Sequence, residues 1–238
     1  LPTIASNPIG FHHLSGLIAL NTDNSMQKNK LSVMLFCLLW AGIAFAQEEV
    51  TETYPDFATL KSKGKILNGK KHGYWYFYHP NGNMSAIENY QDGELHGIAK
   101  YYSLNGELER KEHWRNGIQT DSAVFYYPGQ RIRKHGIFKD GLYEGVWIHY
   151  NPDGSLRQRG AYKQGLPHGD WEIYNEKGQL IQTGSYVNGK EEGLWKFYYP
   201  DGKLEYEGTF SQGQKTGEWF RYTPSGKKKP YNYKKETQ

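Results

Sequence analysis

The 24 residues G145-V-W-I-H-Y-N-P-D-G-S-L-R-Q-R-G-A-Y-K-Q-G-L-P-H168 recur in variant form, without insertion, from Gly73 onward. Units start at Gly73, Gly97, Asp121, Gly145, Gly169, Gly193 and Gly217, and half of an earlier unit is visible at G64-K-I-L-N-G69. A fixed period this short excludes an ordinary globular core. A unit of that size cannot bury its own apolar face, so it must complete a core with its neighbours.

Side-chain positions inside the unit say which supersecondary structure repeats. The sixth residue is always tyrosine: Tyr78, Tyr102, Tyr126, Tyr150, Tyr174, Tyr198 and Tyr222. The third is Trp75, Trp147, Trp171, Trp195 or Trp219, with Ala99 and Ala123 in the remaining two units. The twelfth is aliphatic or Met (Met84, Leu108, Ile132, Leu156, Leu180, Leu204), and the eighteenth is aromatic (Tyr90, Trp114, Phe138, Tyr162, Tyr186, Phe210). Two turn signals divide each unit. One is of the type N151-P-D-G154, where Pro presets φ and Gly accepts a positive φ. The other centres on Gly69, Gly93, Gly117, Gly141, Gly165, Gly189 and Gly213. Short aromatic runs between such turns read as strands, so each unit is a β-hairpin.

With the proline turn at unit positions eight to eleven, antiparallel pairing sets position seven against twelve, three against sixteen and one against eighteen. Trp147 then opposes Gly160, Trp171 opposes Gly184 and Trp195 opposes Gly208, while Gly145 faces Tyr162 and Gly169 faces Tyr186. Each indole meets a residue without a side chain and can lie flat over backbone. The match weakens at Glu88 and Glu112, which stand where the glycine is expected. Isolated hairpins are marginal in water, so the hairpins must stack edge to edge. The expected fold is all-β: an elongated single-layer antiparallel ribbon of hairpins with a 24-residue period. It advances ~10 Å per unit and reaches roughly 65–70 Å.

Ahead of the repeats, Met26 opens M-Q-K-N-K-L-S-V-M-L-F-C-L-L-W-A-G-I-A-F-A-Q47. A basic start, an apolar run over Leu31–Phe45 and Ala44-x-Ala46 form the pattern of a secretory signal cleaved after Ala46. The run is short for a membrane span, and Cys37 lacks the small residues that precede a lipidated cysteine. The organisation expected is upstream read-through over 1–25, a signal peptide over 26–46 and a lead-in over 47–63. Repeats follow over 64–228, then a flexible basic tail over 229–238. The lead-in T51-E-T-Y-P-D-F-A-T-L60 looks helical and is placed to cap the first edge. The exported chain would be periplasmic or extracellular. Past Ala46 it contains no cysteine, which excludes disulfides, thiolate metal sites and a cysteine nucleophile. Net charge is only +4 and the signs alternate, so no nucleic-acid surface is expected; the one basic cluster is K227-K-K-P-Y-N-Y-K-K235.

The pattern G-x-W-x-x-Y-x-x-x-G-x-L followed by G-x-Y-x-x-G-x-x-x-G resembles the MORN repeat, in the bacterial variant found in YwqK-type antitoxin proteins. The resemblance covers about residues 64–228. It implies the hairpin fold and a non-enzymatic module that acts as an antitoxin or as a scaffold meeting proteins or membrane lipids. It implies no catalytic residues. An antitoxin against a cytoplasmic toxin needs no export signal, so Met26–Ala46 conflicts with that role or moves it to the periplasm.

Candidate chemistry is thin. His72, His96 and His168 share the last unit position, but equivalent positions lie about one repeat, ~10 Å, apart, whereas zinc ligands sit ~2.0–2.1 Å from the ion. They read as turn residues, and no metal or other cofactor is expected. Acidic positions (Asp92, Asp140, Asp153, Asp201, Glu172, Glu205, Glu207) vary between units and offer no carboxylate pair in a closed cleft. No nucleophile elbow, zincin motif or phosphate loop is present. The tyrosine row Tyr78–Tyr222 is the candidate binding face. On the pairing above it lies opposite the tryptophans. Two readings stay open for it: a ladder packed along the ribbon, or an aromatic strip that engages a partner. The partner expected first is a protein, a toxin or an envelope component. A glycan surface, or a lipid surface met by the tail with Tyr231 and Tyr233, is the alternative.

Overall fold

The computed structural model describes residues 47–55 and 59–233. Residues 1–46, which hold the expected read-through and signal, lie outside the described residues, as do 234–238 of the tail.

Seventeen strands follow in chain order: β1 (Gln47–Thr53), β2 (Leu60–Leu67), β3 (Lys70–Tyr78), β4 (Met84–Gln91), β5 (Glu94–Leu95), β6 (Gly97–Tyr102), β7 (Leu108–Arg115), β8 (Ile118–Tyr126) and β9 (Ile132–Lys139). They continue with β10 (Leu142–Tyr150), β11 (Leu156–Lys163), β12 (Leu166–Tyr174), β13 (Leu180–Val187), β14 (Lys190–Tyr198), β15 (Leu204–Ser211), β16 (Gln214–Tyr222) and β17 (Lys228–Tyr231). Neighbours in sequence pair antiparallel throughout, with β5 and β6 both against β4. Among the described residues β1 and β17 have one partner each, so the sheet is open. This is the all-β single sheet of consecutive hairpins expected from the period.

Within hairpins the register is the one read from the sequence: Gly145↔Tyr162, Trp147↔Gly160, Trp171↔Gly184 and Trp195↔Gly208. It departs at the proline turn. There Tyr150 faces Leu156 while His149 faces Gln158, so Arg157 is a bulged extra residue and position six, not seven, opposes twelve. The turn is the cause. Asn151 N–H donates to Ser155 O at 2.9 Å and Gly154 N–H to Asn151 O at 2.9 Å, which closes five residues into the loop and displaces the pairing by one. The second turn is two residues with both φ positive, Gln164 at 50° and Gly165 at 79°, which matches the twist of the flanking strands.

Between hairpins a wider bulge sets the core. Glu144 faces Ile137 and Ile148 faces His135, leaving residues 145–147 opposite Gly136 alone. Gly145 makes this bulge with φ of 64°. The bulge tips Trp147 backwards, and here the sequence reading needs correction. The indole lies not on Gly160, its partner within the hairpin, but on Gly136 of the hairpin before, where a Cβ would sit 2.3 Å from the ring. Trp75 rests likewise on Gly64, Trp171 on Gly160, Trp195 on Gly184 and Trp219 on Gly208, with clearances of 2.1–2.5 Å. Nε1 of Trp147, Trp171 and Trp75 donates to the next carbonyl along that earlier strand (Ile137, Ala161, Lys65) at 3.0 Å.

The exceptions obey the same geometry. Glu88 precedes a unit whose third residue is Ala99, and Glu112 precedes one whose third residue is Ala123. Where the earlier strand carries a side chain, the following strand has surrendered its ring. Both alanines are fully buried, and Glu112 is 4% exposed with its carboxylate 3.4 Å from Arg110 Nε.

The core is therefore a line of indoles on one face, each flanked edge-on by rings from position eighteen. Phe138–Trp147, Tyr162–Trp171, Tyr186–Trp195 and Phe210–Trp219 are T-shaped at 5.0–5.2 Å. Side chains just before the bulge roof the indoles: Tyr143 stacks on Trp147 at 3.8 Å, and Lys71 and Lys215 hold ammonium groups 4.4 and 4.8 Å above Trp75 and Trp219. Trp147 and Trp195 end fully buried in a sheet one layer thick. Each indole removes ~150–250 Å² from water, about 4–6 kcal/mol at ~25 cal/mol per Å².

Both ends differ from the sequence reading. Residues 51–53 are strand, not helix: β1 pairs with β2 and carries Val50, opposite Gly64, where later hairpins carry Trp. Residues 229–231, expected in a flexible tail, continue Lys228 as β17 and pair with β16. Tyr231 packs edge-on to Tyr206 at 4.9 Å, and Tyr233 reaches Trp219 at 6.1 Å.

Candidate functional site

Side chains alternate across a strand, so position six falls on the face away from the indoles. The structure places Tyr78, Tyr102, Tyr126, Tyr150, Tyr174, Tyr198 and Tyr222 there, all half-buried, and none enters the tryptophan core. Their partners are polar. Tyr150 stacks on His135 at 5.9 Å with its hydroxyl 3.3 Å from Nε2. Tyr174 donates to Glu172 at 3.1 Å, and Tyr222 donates to Glu207. Burial raises the pKa of Tyr102, Tyr174 and Tyr198, and the neighbouring carboxylates Glu172 and Glu207 raise the last two further. These phenols are neutral hydrogen-bond donors at physiological pH.

The row is held in line by bonds between hairpins. Tyr54 donates to Tyr78 O at 2.8 Å, Tyr127 to Tyr150 O at 3.0 Å and Tyr199 to Tyr222 O at 2.8 Å, while His79 Nε2 meets Tyr102 O at 3.0 Å. At Tyr78, Tyr102, Tyr150 and Tyr222 the preceding hairpin thus fixes the backbone from which the tyrosine projects.

One stretch of this margin is concave. A cleft of about 260 Å³ is lined by Glu107, Glu109, Arg110, Arg133 and the rings Phe125, Tyr126 and Tyr127, among others. Tyr126 brings the predicted row into it. Arg133 stands out in the sequence as a charged neighbour of the tyrosine row, whereas Glu107, Glu109 and Arg110 were not singled out. For Glu109 the signal was available: the thirteenth position reads Ser85, Glu109, Arg133, Arg157, and this is the bulged residue at the proline-turn margin.

Nearby, His149 sits half-buried on the tryptophan face with Nε2 buried and unpartnered among the described residues. Burial, then Lys134, Arg157 and Arg133, push its pKa down to about 4, so the ring is neutral at pH 7. Glu88 accepts from Tyr90 at 2.6 Å, and burial followed by Glu88 raises the Tyr90 phenol. Glu88 and Glu112 occupy room that indoles fill elsewhere, which accounts for them as packing residues.

The described residues contain no group of three His, Cys, Asp or Glu arranged to hold a metal ion. His72 and His168 lie inside β3 and β12, with only His96 between strands, so the reading of all three as turn residues is corrected. No described helix is long and apolar enough to cross a membrane.

A single antiparallel sheet of stacked hairpins, with a one-sided indole core and a polar tyrosine face, defines a hairpin-repeat protein. Residues 71–92, 95–116, 143–164, 167–188 and 191–212 match the MORN repeat variant, and the stretch 71–212 is built of these repeats. The unmatched hairpin between them is the one with Asp121 in place of the bulge glycine and Ala123 in place of the indole. No curated protein sequence matches the chain. Similar solved structures include a mutant of S. aureus TarM in complex with fondaparinux, alpha-GlcNAc-glycerol and UDP (18% identity, 45% of this chain and 21% of that one, TM-score 0.29). A GtfA/B complex bound to UDP and GlcNAc gives 14%, 48%, 22% and 0.22, and TarM gives 14%, 70%, 25% and 0.24. This chain spans only 21–25% of the length of those structures. At such TM-scores the likeness carries no inference about fold or chemistry.

Proposed function

We propose that this protein is a non-enzymatic docking module whose tyrosine face binds a partner protein. The observation that carries the reading is the row of half-buried phenols on the open face, four of them (Tyr78, Tyr102, Tyr150 and Tyr222) with their backbone carbonyl bonded by the preceding hairpin. Seven rigid, amphipathic rings offer contact area at low entropic cost, and the cleft at the proline-turn margin, which Tyr126 lines together with Phe125 of the tryptophan face, can receive a projecting side chain. Both signs of charge line that cleft, which suits a polypeptide better than an apolar metabolite.

Export over Met26–Ala46 places the partner in the envelope or outside the cell. An antitoxin- or immunity-like role, with a toxin as partner, is the specific form that the sequence resemblance supports. The test is capture from envelope and culture fractions by the immobilised chain, compared with a Tyr150→Ala/Tyr174→Ala variant. A stoichiometric partner retained by the wild type and lost by the variant is expected. Absence of any such partner, or capture indifferent to the tyrosines, overturns the reading. N-terminal sequencing of the secreted form is expected to begin at Gln47; a start elsewhere removes the export argument.

A further inference from the structure

The opposite margin of the tyrosine face, at the two-residue turns, carries a second pattern. Cross-turn pairs there are Arg115↔Ile118, Lys139↔Leu142 and Lys163↔Leu166. Three successive hairpins thus end in a cation followed by a branched aliphatic. The pattern is bounded, since the turn before pairs Gln91 with Glu94 and the turn after reverses the order to Val187↔Lys190. Tyr143 lies on the tryptophan face, so its neighbour Leu142 points to the other one. Ile137 and Val146 follow and precede core residues and share that outer face.

These aliphatics are exposed: Ile118 51%, Ile137 50%, Leu142 47%, Val146 42% and Leu166 50%. Exposed aliphatics that recur once per hairpin, with a cation on the strand between each and the next, mark an interaction site on a polar surface. Arg115 makes only an exposed ion pair with Asp121 at 3.7 Å, and Lys139 and Lys163 have no ion-pair partner among the described residues. The unspent charge calls for an acidic partner.

Spacing selects its secondary structure. Successive hairpins advance two strands, ~9.5 Å. One heptad of α-helix rises ~10.5 Å, whereas same-face side chains of a strand recur every ~6.8 Å. A helix matches the row and a strand does not.

We propose that Ile118, Leu142 and Leu166, alternating along one row with Arg115, Lys139 and Lys163, are the docking stripe for an acidic amphipathic helix lying along the direction of hairpin stacking. The helix places one apolar residue per heptad on the aliphatics and carboxylates against the cations. This specifies the chemistry of the partner in the docking reading above, on a different margin of the same face.

The probe is a hydrocarbon-stapled helix of three heptads bearing one Leu per heptad and Glu on both flanks, titrated by fluorescence anisotropy against the full-length chain. Saturable one-to-one binding is expected, weakened about tenfold or more in Leu142→Glu/Leu166→Glu. Lys139→Glu/Lys163→Glu is expected to lose the Glu-flanked peptide and gain a Lys-flanked one. All four positions are exposed, and an unchanged near-UV spectrum certifies the fold. Equal binding of the two peptides to the wild type, or indifference to the substitutions, overturns the proposal. So does a stripe that delivers the chain to phosphatidylserine vesicles while ignoring the peptide. If the envelope partner survives Lys139→Glu/Lys163→Glu but not the tyrosine variant, this inference fails and the docking reading stands. If no partner is captured at all, the peptide titration still decides the stripe.

Discussion

Gly136 and Trp147 hold one position jointly, and neither can be judged alone. Gly136→Ala puts a methyl group into the indole and is expected to cost about 2–3 kcal/mol. Trp147→Ala leaves a void and costs about 3–5 kcal/mol. Combined, they recreate the small-on-small arrangement, and the double variant should be less destabilised than the sum by about 1–3 kcal/mol in urea unfolding. Strict additivity would show that the contact is incidental. His149 supplies a pH test. Its folded pKa of about 4 lies below the ordinary 6.5, so its contribution is fully present above pH 6.5. As pH falls from 6.5 towards 4 the unfolded chain takes up a proton that the folded one refuses, and stability drops. The half-exposed ring limits the loss to about 1–2 kcal/mol. His149→Phe, which copies Phe77, Phe125 and Phe197 at equivalent positions, should remove that slope from unfolding curves taken between pH 4 and 7.

At the scale of the hairpin, the two turns carry different burdens. The two-residue turn needs positive φ at both positions, and Gln164 supplies it at 50° with a side chain poorly suited to that region. Gln164→Asn is expected to stabilise by about 0.5 kcal/mol in thermal unfolding, since Asn-Gly favours this turn. An unchanged or lower midpoint would mean that Gln164 has a compensating contact. Much of the hairpin was legible beforehand, because Pro, Gly and alternating rings fix strand ends and register. Two features were not. The bulge at Arg157 arises from hydrogen bonds inside the proline loop, which leave no mark on residue spacing. The direction in which Trp147 leans depends on the bulge at Gly145, yet it was visible in another form: Glu88 precedes Ala99, and Glu112 precedes Ala123. Reading each unit against its successor rather than against itself exposes the exchange. The cleft at Tyr126 was hidden for a simpler reason, since it draws on residues from two hairpins.

For the sheet as a whole, stability is a sum over neighbouring hairpins. Excision of residues 169–192, one complete unit, joins equivalent positions and should leave a folded sheet with a modestly lower denaturation midpoint. Excision of 169–180 joins strands out of phase and should abolish cooperative unfolding downstream. Similar loss in both cases would contradict the modular account. The described ends fit this scheme, because β1 presents Val50 rather than an indole opposite Gly64, and Tyr231 and Tyr233 lie against Trp219.

Because Trp75, Trp147, Trp171, Trp195 and Trp219 each lean on a strand made earlier, the seat already exists when the ribosome delivers the indole. Hairpins can lock one after another in the order of synthesis, and a nascent chain need never wait for residues still to come.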